Sequence, residues 1–193
     1  VWYNSGARKD GGSEEAWPRF VLDDGAQEKA LFVRSGDLDG DGDPDIVTGR
    51  YWYENPGSLS GEWVRREIGA GLENTAVLAD VDEDGDLDVV GTNGTPESDS
   101  FFWAENDGAG NFTVHSVDPP AEGTFLQGAQ VAQFESSGPS EVVLSWHDAT
   151  STQSYSIPSD PHQEWPWREV SATTNGEQID VGDIDGDGDQ DKI

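Results

Sequence analysis

The sequence predicts an all-β fold built from four repeated units of about 48 residues, each of about four short strands. Three observations predict it. A nine-residue acidic pattern recurs three times, aromatic strand-like runs recur in phase with it, and no long stretch spaces its apolar residues as a helix would.

The acidic pattern reads D-x-D-x-D-G-D-x-D and occupies residues 37–45, 80–88 and 183–191. Carboxylates this close repel one another unless a hard cation sits among them. Oxygen donors on alternate residues, with Gly at the sixth place (Gly42, Gly85, Gly188), are what Ca2+ takes. Places 1, 3 and 5 are expected to give side-chain oxygens: Asp37, Asp39 and Asp41, then Asp80, Asp82 and Asp84, then Asp183, Asp185 and Asp187. Place 7 (Asp43, Asp86, Asp189) offers its backbone carbonyl, and place 9 (Asp45, Asp88, Asp191) closes the cage with a carboxylate. About three Ca2+ ions are expected. Magnesium fits less well, because it demands a tight octahedron and keeps its waters. The loops are not EF-hands: the twelfth place holds Thr48 and Gly91 where an EF-hand needs Glu.

The second loop begins 43 residues after the first, and the third 103 after the second. The wider gap contains a degenerate copy at residues 133–141, with Gln133 and Ser137 at the first and fifth places. It is expected to keep its shape and to bind calcium weakly or not at all. Strand-like segments recur around the loops. An apolar strand follows each loop (Ile46-Val47, Val89-Val90, Val142-Val143), and then an aromatic one at residues 51–55 and 101–106, with counterparts at 1–4 and 154–157. A further strand follows at 17–22, 63–68, 112–117 and 165–170, and a last one enters the next loop at 30–33, 75–79, 129–132 and 178–181. Four short strands per unit is the pattern of a β-propeller blade, which must stack on neighbours to bury both faces. One domain is expected over residues 1–193, with the N- and C-terminal strands completing a shared blade. Pairing of those strands between chains, in a ring or a filament, or membership of a longer polypeptide, are the alternatives.

The acidic loops, the apolar pairs after them, the W-Y-E-N-P-G run at residues 52–57 and the E-N-x-G-x-G-x-F turn at 105–112 together resemble the FG-GAP/VCBS repeat family. Its best-known members are the calcium-binding blades of integrin-α-like propellers. The resemblance implies a calcium-binding propeller. It leaves activity open among adhesive, lectin-like, lyase-associated and structural modules. Family propellers usually carry seven or eight blades, against four units here.

Composition narrows the function. Forty acidic residues face 10 basic ones, a net charge of −30. The three loops hold 16 of the acids, so the surplus exceeds what metal sites require. With only three Lys (Lys9, Lys29, Lys192), a saline habitat is expected. Such a field repels phosphate, which excludes nucleic acid as a partner. No apolar stretch approaches the length of a membrane-spanning helix. The chain begins with Val and shows no signal peptide, as a mature or trimmed form would. There is no Cys, which leaves calcium as the cross-brace, and cytosolic calcium is too scarce to fill sites of extracellular-module affinity. An extracellular or cell-surface location follows. Two glycosylation sequons occur, at Asn93 and Asn111.

Catalysis is not expected. His115, His147 and His162 are scattered, and Ser145, His147 and Asp148 lie on a strand whose neighbours point to opposite faces. No nucleophile elbow or zinc-protease motif is present. Trp2, Trp52 and Trp103 recur at one blade position and are expected to pack between blades. Trp165 and Trp167 flank Pro166 and are the candidates for stacking on a sugar or a partner. The expected function is therefore an extracellular calcium-binding β-propeller serving as a structural or adhesive module of a cell-surface or filamentous assembly. Its partners would be further copies of itself or other surface proteins. The alternatives are a carbohydrate-binding propeller and a propeller associated with a polysaccharide lyase or hydrolase.

Overall fold

The computed structural model describes residues 20–23, 25, 30–58, 60–95, 101–117, 126–135, 137–147, 152–172, 178–187 and 190–192. Every regular element among them is a strand. The first sheet contains β1 (Val33–Gly36), β2 (Asp45–Thr48), β3 (Tyr51–Glu54) and β4 (Val64–Glu67), antiparallel and in chain order. The second repeats this with β5 (Asn74–Ala79), β6 (Asp88–Thr92), β7 (Phe101–Asn106) and β8 (Phe112–Val117). The third contains β9 (Leu126–Ala132), β10 (Glu141–Trp146), β11 (Thr152–Ser156) and β12 (Trp167–Ser171). A final pair, β13 (Val181–Gly182) and β14 (Asp191–Lys192), follows.

Register shows that the four units are copies. Gly36 pairs with Asp45, Ala79 with Asp88, Ala132 with Glu141, and Gly182 with Asp191. The acidic loop, intact or degenerate, is thus always the hairpin between the first two strands of a unit. Three units are complete four-stranded sheets; the fourth is described only as the pair around the third loop. The strands expected at 1–4 and 17–19 lie outside the described residues, and residues 20–22 are not in a strand. Among the described residues the sheets do not close into a ring.

Two boundaries differ from expectation for physical reasons. The strand placed at 30–33 begins only at Val33, because the Leu31 N–H is taken by Asn74 Oδ1 of the second sheet (3.2 Å). The strand placed at 165–170 starts at Trp167. Pro166 has no N–H to give a ladder, and its carbonyl accepts from Ser156 N–H at 2.8 Å.

The apolar side chains form two slabs, one between each pair of neighbouring sheets. Leu38, Val47, Trp52, Ile68, Leu72, Val89 and Ala104 fill the space between the first and second sheets. Val90, Phe101, Trp103, Val142, Leu144, Trp146, Tyr155 and Trp165 are prominent in the slab between the second and third. Val89 and Val90 go to opposite slabs, as do Trp103 and Ala104, because successive strand residues face opposite ways. The middle sheet is covered on both faces, so every residue of β6 is buried, whereas β2 alternates between buried and half-buried. The sheets also interlock. Gly110 lies against Trp52 of the preceding sheet, and a Cβ there would overlap the indole.

Phe101 is fully buried, edge-on to Tyr155 at 4.8 Å and to Trp165 at 5.8 Å. Phe101→Ala is expected to cost about 3–5 kcal/mol of stability in chemical denaturation. Val64→Ala, at an exposed position of β4, is expected to stay within about 0.5 kcal/mol of the parent.

Candidate metal-binding loops

The acidic loops are held in shape by their own carboxylates. Asp37 accepts N–H bonds from Gly40 and Gly42, both at 2.9 Å, and Asp80 accepts from Asp84 and Gly85, both at 3.1 Å. Asp183 accepts from Gly186 at 2.7 Å. Shorter steps run from Asp41 N–H to Asp39, Asp43 N–H to Asp41, Asp86 N–H to Asp84 and Asp187 N–H to Asp185. Each turn thereby coils its side-chain oxygens inward, and a carboxylate retains lone pairs for a further partner.

The ninth place does the anchoring. Asp45 Oδ2 accepts Leu38 N–H at 2.9 Å and its Oδ1 accepts Asn55 N–H at 2.8 Å. Asp88 repeats both contacts with Val81 and Asn106, at 2.9 and 2.8 Å, and Asp191 repeats the first with Ile184 at 3.0 Å. Loop, hairpin and aromatic strand are therefore tied to one buried carboxylate. Asn55 and Asn106 add a second clasp, their side-chain amides donating to the carbonyls of Pro44 and Leu87. The Asn106 amide also reaches Leu38 O of the first loop at 2.8 Å, so the second unit holds the first loop.

Three carboxylates converge in each loop, with one oxygen from each lying within 4.8 Å of the others. They are Asp37, Asp39 and Asp41 in the first loop, Asp80, Asp82 and Asp88 in the second, and Asp183, Asp185 and Asp191 in the third. They come from places 1, 3 and 5 in the first loop, where Asp45 at place 9 stands outside the group, and from places 1, 3 and 9 in the second and third. Asp84 and Asp187 occupy place 5 in their loops without joining those groups. Asp43 and Asp86, at place 7, stand apart; their carboxylates lie against Gly57 and Gly108 of the following turn. Their backbone carbonyls remain the donors expected there. Asp189 lies outside the described residues.

Electrostatics favour a cation at these positions. Burial, followed by the charge of neighbouring carboxylates, raises the pKa of Asp39 and Asp82. Burial also raises Asp45, against the two N–H groups it accepts, and pushes Asp88 up to about 6. Without a cation, ionising Asp88 opposes folding. That cost is absent below the unfolded carboxylate value of ~4 and complete above the folded one. An oxygen-seeking ion reverses the sign. The donor set is all oxygen, as hard calcium requires.

The degenerate loop shows the opposite solution. Gln133 Nε2 donates to Gly138 O, holding the turn. The ninth-place carboxylate, Glu141, is buried and bridged by Arg168 at 3.0 and 3.1 Å, with Ser154 Oγ donating at 2.6 Å. There a guanidinium supplies the positive charge beside the ninth-place carboxylate.

The remaining candidates separate. Trp165 is only 4% exposed and its indole N–H donates to Pro161 O at 2.9 Å, which corrects its place as a ligand-stacking aromatic. Trp167 is 44% exposed. Asn93 is half-buried, with its Oδ1 engaged by Thr95 in a tight turn. Asn111 is exposed, with its amide on Asp107. His147 lies beside Gln127 at 3.0 Å, whereas His115 and His162, 47 residues apart in sequence, are brought into contact. No spacing in the sequence announced that contact, nor the Asn106 and Arg168 ties.

The FG-GAP repeat family model matches residues 32–60, which are β1, the first acidic loop, β2, β3 and the turn beyond it. No curated protein matches the chain.

Two predictions follow from the loop geometry. The fourth place is left-handed in the three acidic loops: Gly40 at φ 76°, Gly186 at φ 78°, and Glu83 at φ 61°. A side chain there costs about 1–2 kcal/mol, partly offset by the greater unfolded-state freedom of Gly. Glu83→Gly is expected to raise stability by about 0.5–1 kcal/mol in urea denaturation. Arg168→Gln removes the guanidinium from the buried Glu141 and is expected to cost about 1–3 kcal/mol, with no change in the number of calcium ions bound.

Proposed function

We propose that the protein is a calcium-braced β-propeller module, extracellular and non-catalytic, that serves structural or adhesive assembly at a cell surface. The observation that carries this is the convergence of three carboxylates in each of three loops, each loop set in the same hairpin of a repeated unit. The FG-GAP match over the first of those units supports it. Calcium in such a loop neutralises carboxylates that burial disfavours as anions. Because Asn106 spans from the second loop to the first, the ion's rigidity passes between units. The large acidic surplus outside the loops suits a saline, calcium-rich exterior, and the exposed Asn111 is the better placed of the two glycan acceptors.

Closure is proposed to come from terminal strands completing the unit around β13 and β14, within one chain or between chains. Light scattering in millimolar calcium and in excess chelator decides between them. A monomer that loosens in chelator means closure within the chain. Large assemblies that dissociate in chelator mean strand sharing between chains, and indifference to chelator would sink the calcium bracing. Calcium at a hundredfold excess over Kd is expected to add about 2.7 kcal/mol per site. Asp39→Ala and Asp82→Ala should each remove one bound equivalent in a calcium titration.

A second reading, binding of a carbohydrate, is favoured by one observation, the exposed indole of Trp167. On a glycan array, specific binding that is lost in Trp167→Ala would support it, and silence would count against it.

A further inference from the structure

We propose that Glu105, His115 and His162 form a binding site for a zinc-class divalent metal ion, distinct in chemistry from the oxygen-lined loops. One donor atom from each of the three lies within 4.8 Å of the others. His115 Nε2 is 2.8 Å and His162 Nε2 3.5 Å from the same oxygen, Glu105 Oε2. Tetrahedral zinc with ligands at roughly 2.0–2.2 Å sets its donor atoms roughly 3.3 Å apart, and the two observed distances bracket that spacing.

The contacts of His162 leave a place for a cation. His162 Nδ1 lies 3.2 Å from Asp160 Oδ1. A carboxylate only accepts, so in the neutral ring Nδ1 carries the hydrogen and Nε2 presents its lone pair to Glu105, itself an acceptor. Two acceptors then face each other, a conflict that a cation on Nε2, a proton or a metal ion, removes. A carboxylate fixing the far nitrogen of a ligating histidine is also the usual outer support of a zinc site. Asp160 is therefore a positioning residue.

The scaffold brings these groups together from two units. Glu105 and His115 are on β7 and β8, with His115 stacked on the buried Trp103 at 4.8 Å. His162 comes from the β11–β12 connection of the next unit, and its ring meets Trp103 edge-on at 5.1 Å. Trp165 holds that connection by packing on Phe101 and taking the Pro161 carbonyl.

Comparison within the chain sharpens the point. The outer-strand residue paired across from Trp52 is Arg66, and across from Ser154 it is Arg168; across from Trp103 it is His115. Arg66 lies over Trp52 and pairs with Glu54, as His115 lies over Trp103 and pairs with Glu105. Among the three units described in full, only the middle one replaces the guanidinium, which cannot ligate, with an imidazole, and there a second imidazole arrives.

The ligand side chains are 27–49% exposed, and His115 and His162 border a groove of about 740 Å3 that Pro161 and Trp165 also line. Three protein ligands on an open face leave a coordination position for water. Imidazole suits zinc, copper and nickel, whereas calcium prefers oxygen donors, so the two kinds of site sort their ions.

The test is a zinc titration of the whole chain in millimolar calcium, by calorimetry and by metal analysis after dialysis. One zinc per chain that calcium does not displace is expected. His162→Gln should weaken it at least tenfold, and Asp160→Ala by about tenfold. His115→Arg recreates the arrangement of Arg66 with Glu54, so it should keep the circular dichroism and thermal stability of the parent while losing the zinc. Cobalt in place of zinc should give the intense visible bands of a four- or five-coordinate ion. Zinc that calcium displaces, zinc binding unchanged in His115→Arg and His162→Gln, or a weak octahedral cobalt spectrum would each overturn the proposal.

Discussion

The buried carboxylate at the end of each acidic loop is the constraint on which the rest of the structure depends. It stands at the first residue of the strand that leaves the loop, as Asp45, Asp88 and Glu141, and all three are buried. A charge in that position must be answered. In the first two units it is answered by two backbone N–H groups, one from the loop and one from the end of the aromatic strand. That pair of bonds fixes where the loop turns back and where the third strand ends. In the third unit the same position is answered by Arg168 and Ser154, and the first and fifth places of its loop hold Gln133 and Ser137. Once a guanidinium satisfies the buried charge, nothing requires the other carboxylates to stay.

The same anchoring carries order from one unit to the next. The Asn106 side chain serves the carbonyl of its own loop and that of the preceding one, while Gly110, four residues on, accommodates the indole of Trp52. One five-residue turn thus closes its own unit and seats the previous one. The two apolar slabs act in concert with these polar ties, since the middle sheet contributes alternate residues of each strand to both. Neighbouring sheets therefore cannot be loosened independently.

The sequence made the loops, the all-strand character and the repeat legible because each has a local signature. D-x-D-x-D-G-D-x-D spacing, aromatic runs such as Tyr51 to Tyr53, and Gly at turns are read one segment at a time. The strand expected at residues 101–106 matches β7, whose apolar residues are bounded by clear turn signals. What escaped were pairings across long separations. Arg168 and Glu141 are 27 residues apart, and Asn106 and Leu38 are 68. No pattern in either segment marks its partner. The burial of Trp165 is hidden for a related reason. A proline flanked by aromatics looks like an exposed edge, yet Pro166 merely delays the strand, and the indole turns inward to meet Phe101 from another sheet.

Repetition supplies its own control for judging which residues are structural. A position that keeps its chemistry across units, such as Asn55 and Asn106 or Trp52 and Trp103, is explained by the common scaffold. A position that changes against an unchanged background asks for a local cause. Arg66, His115 and Arg168 share one register on the outer strand, and each faces a carboxylate of its own sheet: Glu54, Glu105 and Glu141. Guanidinium at that place is permanently charged and closes the pair. Imidazole carries a lone pair that can ligate, so the change at His115 exchanges a fixed counter-charge for a group able to hold a metal ion. The scaffold loses little by the exchange, because stacking on Trp103 replaces the lie of Arg66 over Trp52. Variation of this kind lets one repeated unit carry different ion chemistry in successive copies without altering the strands that present it.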